Sequence, residues 1–200
     1  ACAKILQHMY KLALSKHIVP NIREIDMQIW KDLTPEALER EFNPRATLKE
    51  KAGAHISDWQ KQAASARVDL QGTFDIAYGT HPLETYDRHL HGSNALSIIF
   101  IHGGAWRALD KNDMSHHIKA LCNAGFNVYN LNYPLCPEVS ITQIYASLEK
   151  AVLHIIETDG LDRVILAGHS AGGHAAVYLA QSKALVGRIS GVFSISGVYE

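Results

Sequence analysis

The sequence is poor in cysteine: Cys2, Cys122 and Cys136 form an odd set with no CxxC spacing. That argues against a disulfide framework and a thiolate metal site, and makes a reducing compartment the simpler reading. No apolar run approaches the roughly 18 residues of a membrane-spanning helix. The opening stretch, ACAKILQHMYKLALSKHIVP, scatters Lys and His through what would be the apolar part of a signal peptide. Charge of one sign is also lacking, with 19 Lys+Arg against 20 Asp+Glu, so no strong field draws the chain to nucleic acid or an anionic bilayer. The 12 histidines show no HExxH or similar metal spacing, which disfavours a zinc hydrolase. These absences lead to the expectation of a cytoplasmic protein that needs no cofactor or metal and takes a small-molecule substrate. Nucleic-acid and membrane partners are not expected, and a homodimer is left open.

What is present is a core-forming pattern. Hydrophobic residues make up 47% of 200, enough for one substantial core. Residues 1–66 read as a helical N-terminal extension: Thr34 before Pro35 looks like an N-cap and first-turn pair, and LKEKAGAHISDWQKQAASAR reads as a polar surface helix. Residues 67–200 read as an α/β domain of about six strands. From Val68 the texture changes, and VDLQGTFDIAYG followed by TYDRHL suggests two paired strands at an antiparallel edge. After Ala95, strands SIIFI, NVYNLNY, RVILA and RISGVFSIS alternate with helical stretches, which implies a mostly parallel sheet covered on both faces. Met114, Ile118, Leu121 and Cys122 share a helical face that stops near Gly125. Ser140 and Gln143 form a capping-box pattern ahead of Ile141, Ile144, Tyr145, Leu148, Val152, Ile155 and Ile156, an amphipathic helix ending at Asp159 and Gly160.

The chemistry centres on GHSAGG, residues 168–173, between the strand RVILA and the helix that starts near Ala171. A Gly-x-Ser-x-Gly in that setting is a nucleophile elbow, with the serine on a strained strand-to-helix turn, and Ser170 is the candidate nucleophile. The competing reading is a tight turn with a chance serine. HGGAW, residues 102–106, follows SIIFI at the offset where this fold places its oxyanion loop. Gly103, Gly104 and the N–H of Ala171 are the candidate oxyanion donors. His102 precedes the loop, whereas the base in this fold follows the nucleophile in the chain, so His102 is read as bracing the loop. The same ordering makes His169 and His174 packing or solvated positions rather than bases, with His169 placed at the substrate pocket. Trp106, just past the loop, lines the pocket or belongs to the core; the sequence leaves both open.

HGGAW, FNVYNLNYPLCPE, GHSAGGH and the closing SISGVYE together resemble the arylformamidase (kynurenine formamidase) family of the α/β-hydrolase superfamily. The YDRHL region and the N-terminal lead with LEREFNPRA are similar to it too, and the main resemblance covers about residues 70–200. It implies an α/β-hydrolase fold and a serine hydrolase that cleaves an N-formyl arylamine, such as N-formylkynurenine, to the amine and formate through a formyl-enzyme. Carboxylesterases of the hormone-sensitive-lipase-like type normally carry a third glycine where Ala105 stands, so an esterase is the alternative. A non-catalytic binding protein of the same fold is a further one. RISGVFSIS counts as the sixth of eight strands, and the fold supplies its acid and histidine after later strands. Both are therefore expected beyond Glu200, the chain being read as part of a longer protein rather than an inactive relative. Glu200 itself is set aside because the family carries a non-catalytic carboxylate there.

Overall fold

The computed structural model describes residues 50–199 together with Thr34, Glu36 and Ala37. Most of the expected N-terminal extension therefore lies outside the described residues. Thr34 Oγ1 accepts the Ala37 N–H at 3.2 Å, an N-cap bond of the kind its position before Pro35 suggests. The chain divides into two compact units, Ala1–Gly53 and Ala54–Glu200, and the second holds the sheet.

The described elements begin with helix α1 (Glu50–Asp69), followed by strands β1 (Thr73–Ala77), β2 (Thr85–His89) and β3 (Ser97–Ile101). Helix α2 (Ser115–Asn123), β4 (Asn127–Leu131), α3 (Ile141–Thr158), β5 (Val164–His169), α4 (Ala171–Leu179) and β6 (Ile189–Ile195) complete them. The six strands form one sheet in the order β1-β2-β4-β3-β5-β6. β1 runs antiparallel to β2 and β2 to β4, while β3, β4, β5 and β6 are mutually parallel. This is the α/β-hydrolase architecture expected from the alternation of strands and helices. One boundary differs: the strand expected from Val68 begins at Thr73, because α1 continues to Asp69 and leaves Val68 82% exposed. A β-branched residue read as strand is in fact on the solvent side of a helix that Arg67 pins through its ion pair with Asp87 (2.7 Å).

β3 and β4 are buried at every position, as strands covered on both faces must be. The period of two splits β3 between two cores. Ile99 and Ile101 join Leu131, Leu148, Val152 and Ile155 under α3 and α4, whereas Ile98 and Phe100 join Met114, Ile118 and Val128 under α2. Each fully buried aliphatic side chain here is worth about 1.5–3 kcal/mol of transfer free energy. In α3 the Ser140 side chain accepts the Gln143 N–H and the Gln143 side chain accepts the Ser140 N–H, so the capping box is complete. Of its expected apolar face only Ile141, in the first turn, is exposed. The helix ends where Gly160 takes φ +61° and the Leu161 N–H returns to the Ile156 carbonyl (2.9 Å), which satisfies a terminal acceptor. α2 ends in the same way at Gly125. No described helix is long and apolar enough to cross a membrane.

Candidate active site

The parallel strands β3, β4 and β5 all point their C-terminal ends toward one rim, the rim where open α/β sheets bind ligands. Two segments meet there. The first is the junction of β5 and α4: Ser170 sits between them with φ +53° and ψ −118°, a conformation that costs a non-glycine residue about 1–3 kcal/mol and needs surrounding structure to enforce it. The enforcement is visible. The Ser170 N–H donates to the Ile195 carbonyl (2.8 Å), and its carbonyl accepts the His174 N–H (3.0 Å) as the first bond of α4. Close approach of helix and strands is possible because Gly168 and Gly172 have no side chains. A Cβ on Gly168 would stand 2.3 Å from the Gly172 carbonyl oxygen, and one on Gly172 2.1 Å from the Ile101 carbonyl oxygen.

The second segment is the loop after β3. Gly103 lies directly against the serine, since a Cβ there would stand 3.2 Å from Ser170 Cβ. Gly104 has φ +108° and lets its carbonyl accept the Arg107 and Ala108 N–H groups, both at 3.0 Å. A Cβ on Gly104 would meet the Ala108 carbonyl oxygen at 1.9 Å, so the turn admits only glycine. The N–H groups of Gly103, Gly104 and Ala171 take no part in the turn, loop and cap hydrogen bonds among the described residues. Ala171 opens α4, where unpaired N–H groups and the positive end of the helix dipole favour negative charge.

His102 is buried at the foot of this loop. Its Nδ1 lies 2.7 Å from the Gly103 carbonyl oxygen and its Nε2 3.0 Å from Asn132 Oδ1. Its ring stacks on Tyr133 (centroids 4.1 Å apart), whose hydroxyl donates to the His102 carbonyl at 2.9 Å. Burial holds the imidazole pKa below its ordinary value, against the opposing pull of the Gly103 carbonyl, the Asp110 carboxylate and the Asn132 amide oxygen. With its N–H on Nε2 donating to Asn132 Oδ1 and its ring stacked on Tyr133, His102 is committed at the foot of the loop and is not placed to take a proton from Ser170. His174 is also committed: its Nδ1 is 2.6 Å from the Tyr145 hydroxyl. His169 packs 5.6 Å from the Trp59 ring centre, with its Nδ1 buried and unpaired, and burial lowers its pKa. The Trp106 ring is half-buried against the larger core and lies 5.8 Å, edge-on, from His174, so it packs at the core margin. No group of three or more His, Cys, Asp or Glu among the described residues is placed to hold a metal ion.

Several residues at the rim carried no signal in the sequence. Asn132 and Asp110 bond to each other and tie into His102. Lys111, 1% exposed, places its Nζ 2.7 Å from Asp75 and 2.6 Å from Asp87, which ties the end of the loop to β1 and β2. Trp59 reaches the elbow from α1, donating to the Asp113 carbonyl at 2.6 Å. The only hint was polarity inside an apolar stretch: Asn130 and Asn132 in NVYNLNY.

Residues 83–192, more than half of the chain, match the BD-FAE family. The chain is similar to the kynurenine formamidase of Salmo salar, at 25% identity over 187 residues, covering 87% of this chain and 64% of that protein. Among solved structures it is similar to a protein of Silicibacter sp. tm1040 provisionally assigned as a thioesterase, with TM-score 0.68, 30% identity, and coverage of 78% of this chain and 62% of that one. Esterase B of Lactobacillus rhamnosis shares the fold at TM-score 0.54 and 22% identity, covering 74% and 55% of the two chains. This chain thus spans 55–64% of the length of these relatives. The strand order, the Ser170 elbow with Gly103 against it, and the match over residues 83–192 agree: the chain belongs to the BD-FAE family, an arylformamidase-like family of α/β-hydrolases.

Proposed function

We propose that the protein carrying this chain is a serine hydrolase with Ser170 as nucleophile, acting on an N-formyl arylamine such as N-formylkynurenine. The observation that carries the reading is Ser170 held at φ +53° between β5 and α4 with Gly103 packed on its Cβ. A strained serine beside a glycine loop and a helix N-terminus has the elements of an acyl-transfer site. The formamide substrate is supported by the likeness to a kynurenine formamidase and by HGG followed by Ala105 and Trp106.

In this reading Ser170 Oγ attacks the formyl carbon and gives its proton to a histidine base. The carbonyl oxygen becomes an oxyanion held by the N–H groups of Gly103, Gly104 and Ala171. Collapse breaks the C–N bond, the arylamine leaves with the proton from the base, and the formyl group stays on Ser170. Water, deprotonated by the same base, then releases formate and restores the serine. His102 and His174 are held by polar contacts as described above and His169 is packed against Trp59, so the base and its carboxylate partner are assigned to residues after Glu200. Trp106 and His169 line the substrate side of the site.

An acyl ester or thioester is the second reading, favoured by the likeness to the Silicibacter protein. Turnover of N-formylkynurenine and of p-nitrophenyl acetate by the full-length protein separates the two. Formamide turnover is expected to exceed ester turnover in kcat/KM, and Ser170→Ala to lower either by a factor on the order of 10⁵ or more. Retained turnover in Ser170→Ala refutes the nucleophile assignment, and ester turnover without formamide turnover moves the substrate to the second reading.

A further inference from the structure

Loop 102–110 holds three non-glycine residues in the left-handed region, Ala105 at φ +51°, Trp106 at +58° and Leu109 at +68°. Such a loop relaxes unless both ends are fixed. Asn132, just past the end of β4 and 3% exposed, touches both ends. Its Oδ1 lies 3.0 Å from His102 Nε2 at the start of the loop, and its Nδ2 donates to Asp110 Oδ2 at 2.8 Å at the finish. The acceptor-only carboxylate fixes which way the amide faces. Each neighbour is held in turn. The His102 ring is stacked on Tyr133, whose hydroxyl donates to the His102 carbonyl at 2.9 Å, and Asp110 accepts the Asn112 N–H at 2.8 Å while its own N–H donates to Asp113 at 2.9 Å. The Asn132 main chain is anchored independently: its N–H donates to the Thr85 carbonyl (2.9 Å) and its carbonyl accepts the Tyr78 hydroxyl (2.8 Å).

We propose that Asn132 is a positioning residue that clamps His102 to Asp110 and so sets where the loop presents its Gly103 and Gly104 N–H groups to Ser170. This rests on the reading of Ser170 and the loop given above. Asn132 touches no reacting atom; its action passes through His102 and Asp110. Releasing the clamp lets the donors drift by about an ångström, a displacement that costs on the order of 100-fold in rate when it falls on transition-state geometry. The loss is read in kcat, which reports transition-state geometry once substrate is bound.

The test is a reciprocal swap in the full-length protein. In Asn132→Asp the carboxylate faces Asp110 with no proton between them, and the clamp opens. In Asn132→Asp combined with Asp110→Asn, amide and carboxylate exchange places: the new amide donates across the gap and still accepts the Asn112 N–H, and the new carboxylate still faces His102. Three quantities are read for wild type, single and double variants: kcat and KM, the rate of labelling by a fluorophosphonate, and solvent protection of the His102 ring N–H by NMR. A roughly 100-fold fall in kcat in the single variant, with at least tenfold recovery in the double, supports the clamp. Loss of His102 protection in the single variant and its return in the double supports it as well. Equal kcat in all three proteins, or a loss that the double variant deepens, overturns it. If wild type neither turns over an acyl substrate nor takes the label, the serine-hydrolase reading fails, and the NMR comparison alone decides the clamp: unchanged His102 protection in all three overturns it.

Discussion

Gly172→Ala probes the packing that builds the elbow. The substitution adds one methyl group on the first turn of α4, where Cβ would stand 2.1 Å from the Ile101 carbonyl oxygen and 2.5 Å from that of His102. Both obstacles are main chain at the end of β3, so no side chain can rotate away and the helix itself must move. Alanine in place of a helical glycine would alone stabilise by about 1 kcal/mol. Overpacking against rigid structure costs about 1–3 kcal/mol and can exceed that range, and backbone obstacles put this site at the upper end. The net expectation is about 2 kcal/mol of destabilisation, equivalent to roughly 4–8 °C in thermal midpoint for a protein of this size. Gly53→Ala is the control, since Gly53 lies in α1 with nothing within 4 Å of a Cβ, and it should gain about 0.5–1 kcal/mol from helix propensity. Thermal unfolding by circular dichroism measures both. A Gly172→Ala protein as stable as wild type, or shifted in parallel with Gly53→Ala, would refute the claim that α4 is seated on β3 through that glycine.

Lys111→Met should destabilise by about 3 kcal/mol in denaturant unfolding, because it leaves the Asp87 carboxylate, 0% exposed, with Arg67 as its one remaining cationic partner among the described residues. Burial alone would raise the Asp87 carboxyl, but the bonds from Lys111, Arg67 and the Asp75 N–H outweigh it and hold the pKa below the ordinary value. The stability from this group is present above the unfolded carboxylate pKa and is lost as pH falls through the folded one, so the acid limb of the stability profile should flatten in Lys111→Met. Burial, followed by the neighbouring His116 and His169, brings the His117 pKa down to about 4. An NMR titration should find that midpoint, and His117 should contribute stability present above the unfolded value of about 6.5 and lost between there and about 4. A His117 midpoint near 6.5 refutes its packing against Trp59 and Phe100. Ser140→Ala removes the oxygen that accepts the Gln143 N–H and should cost about 1 kcal/mol, visible as a lower urea midpoint with an unchanged slope.

The order of elements and the place of the elbow were legible because local rules set them. Period-two and period-3.6 patterns mark which segments bury one face or two, Ser140 with Gln143 announces a helix start, and Gly-x-Ser-x-Gly between a strand and a helix has few other uses. The same rules separated the antiparallel edge from the parallel centre. They could not show that α1 runs through Val68, because an exposed β-branched residue at a helix end looks like the first residue of a strand until Arg67 is seen pairing with Asp87. Nor could they find the supports of the site. Asn132, Asp110 and Lys111 act through partners 22 to 36 positions away in the chain, and pairings of that span exist only once β4 has been laid between β2 and β3. The sequence by itself thus determined the fold class and the candidate nucleophile, since both depend on neighbours a few residues apart. The tertiary structure decided what holds the loop against that nucleophile, because those contacts join strands and loops that are remote in sequence and pair only across the finished sheet.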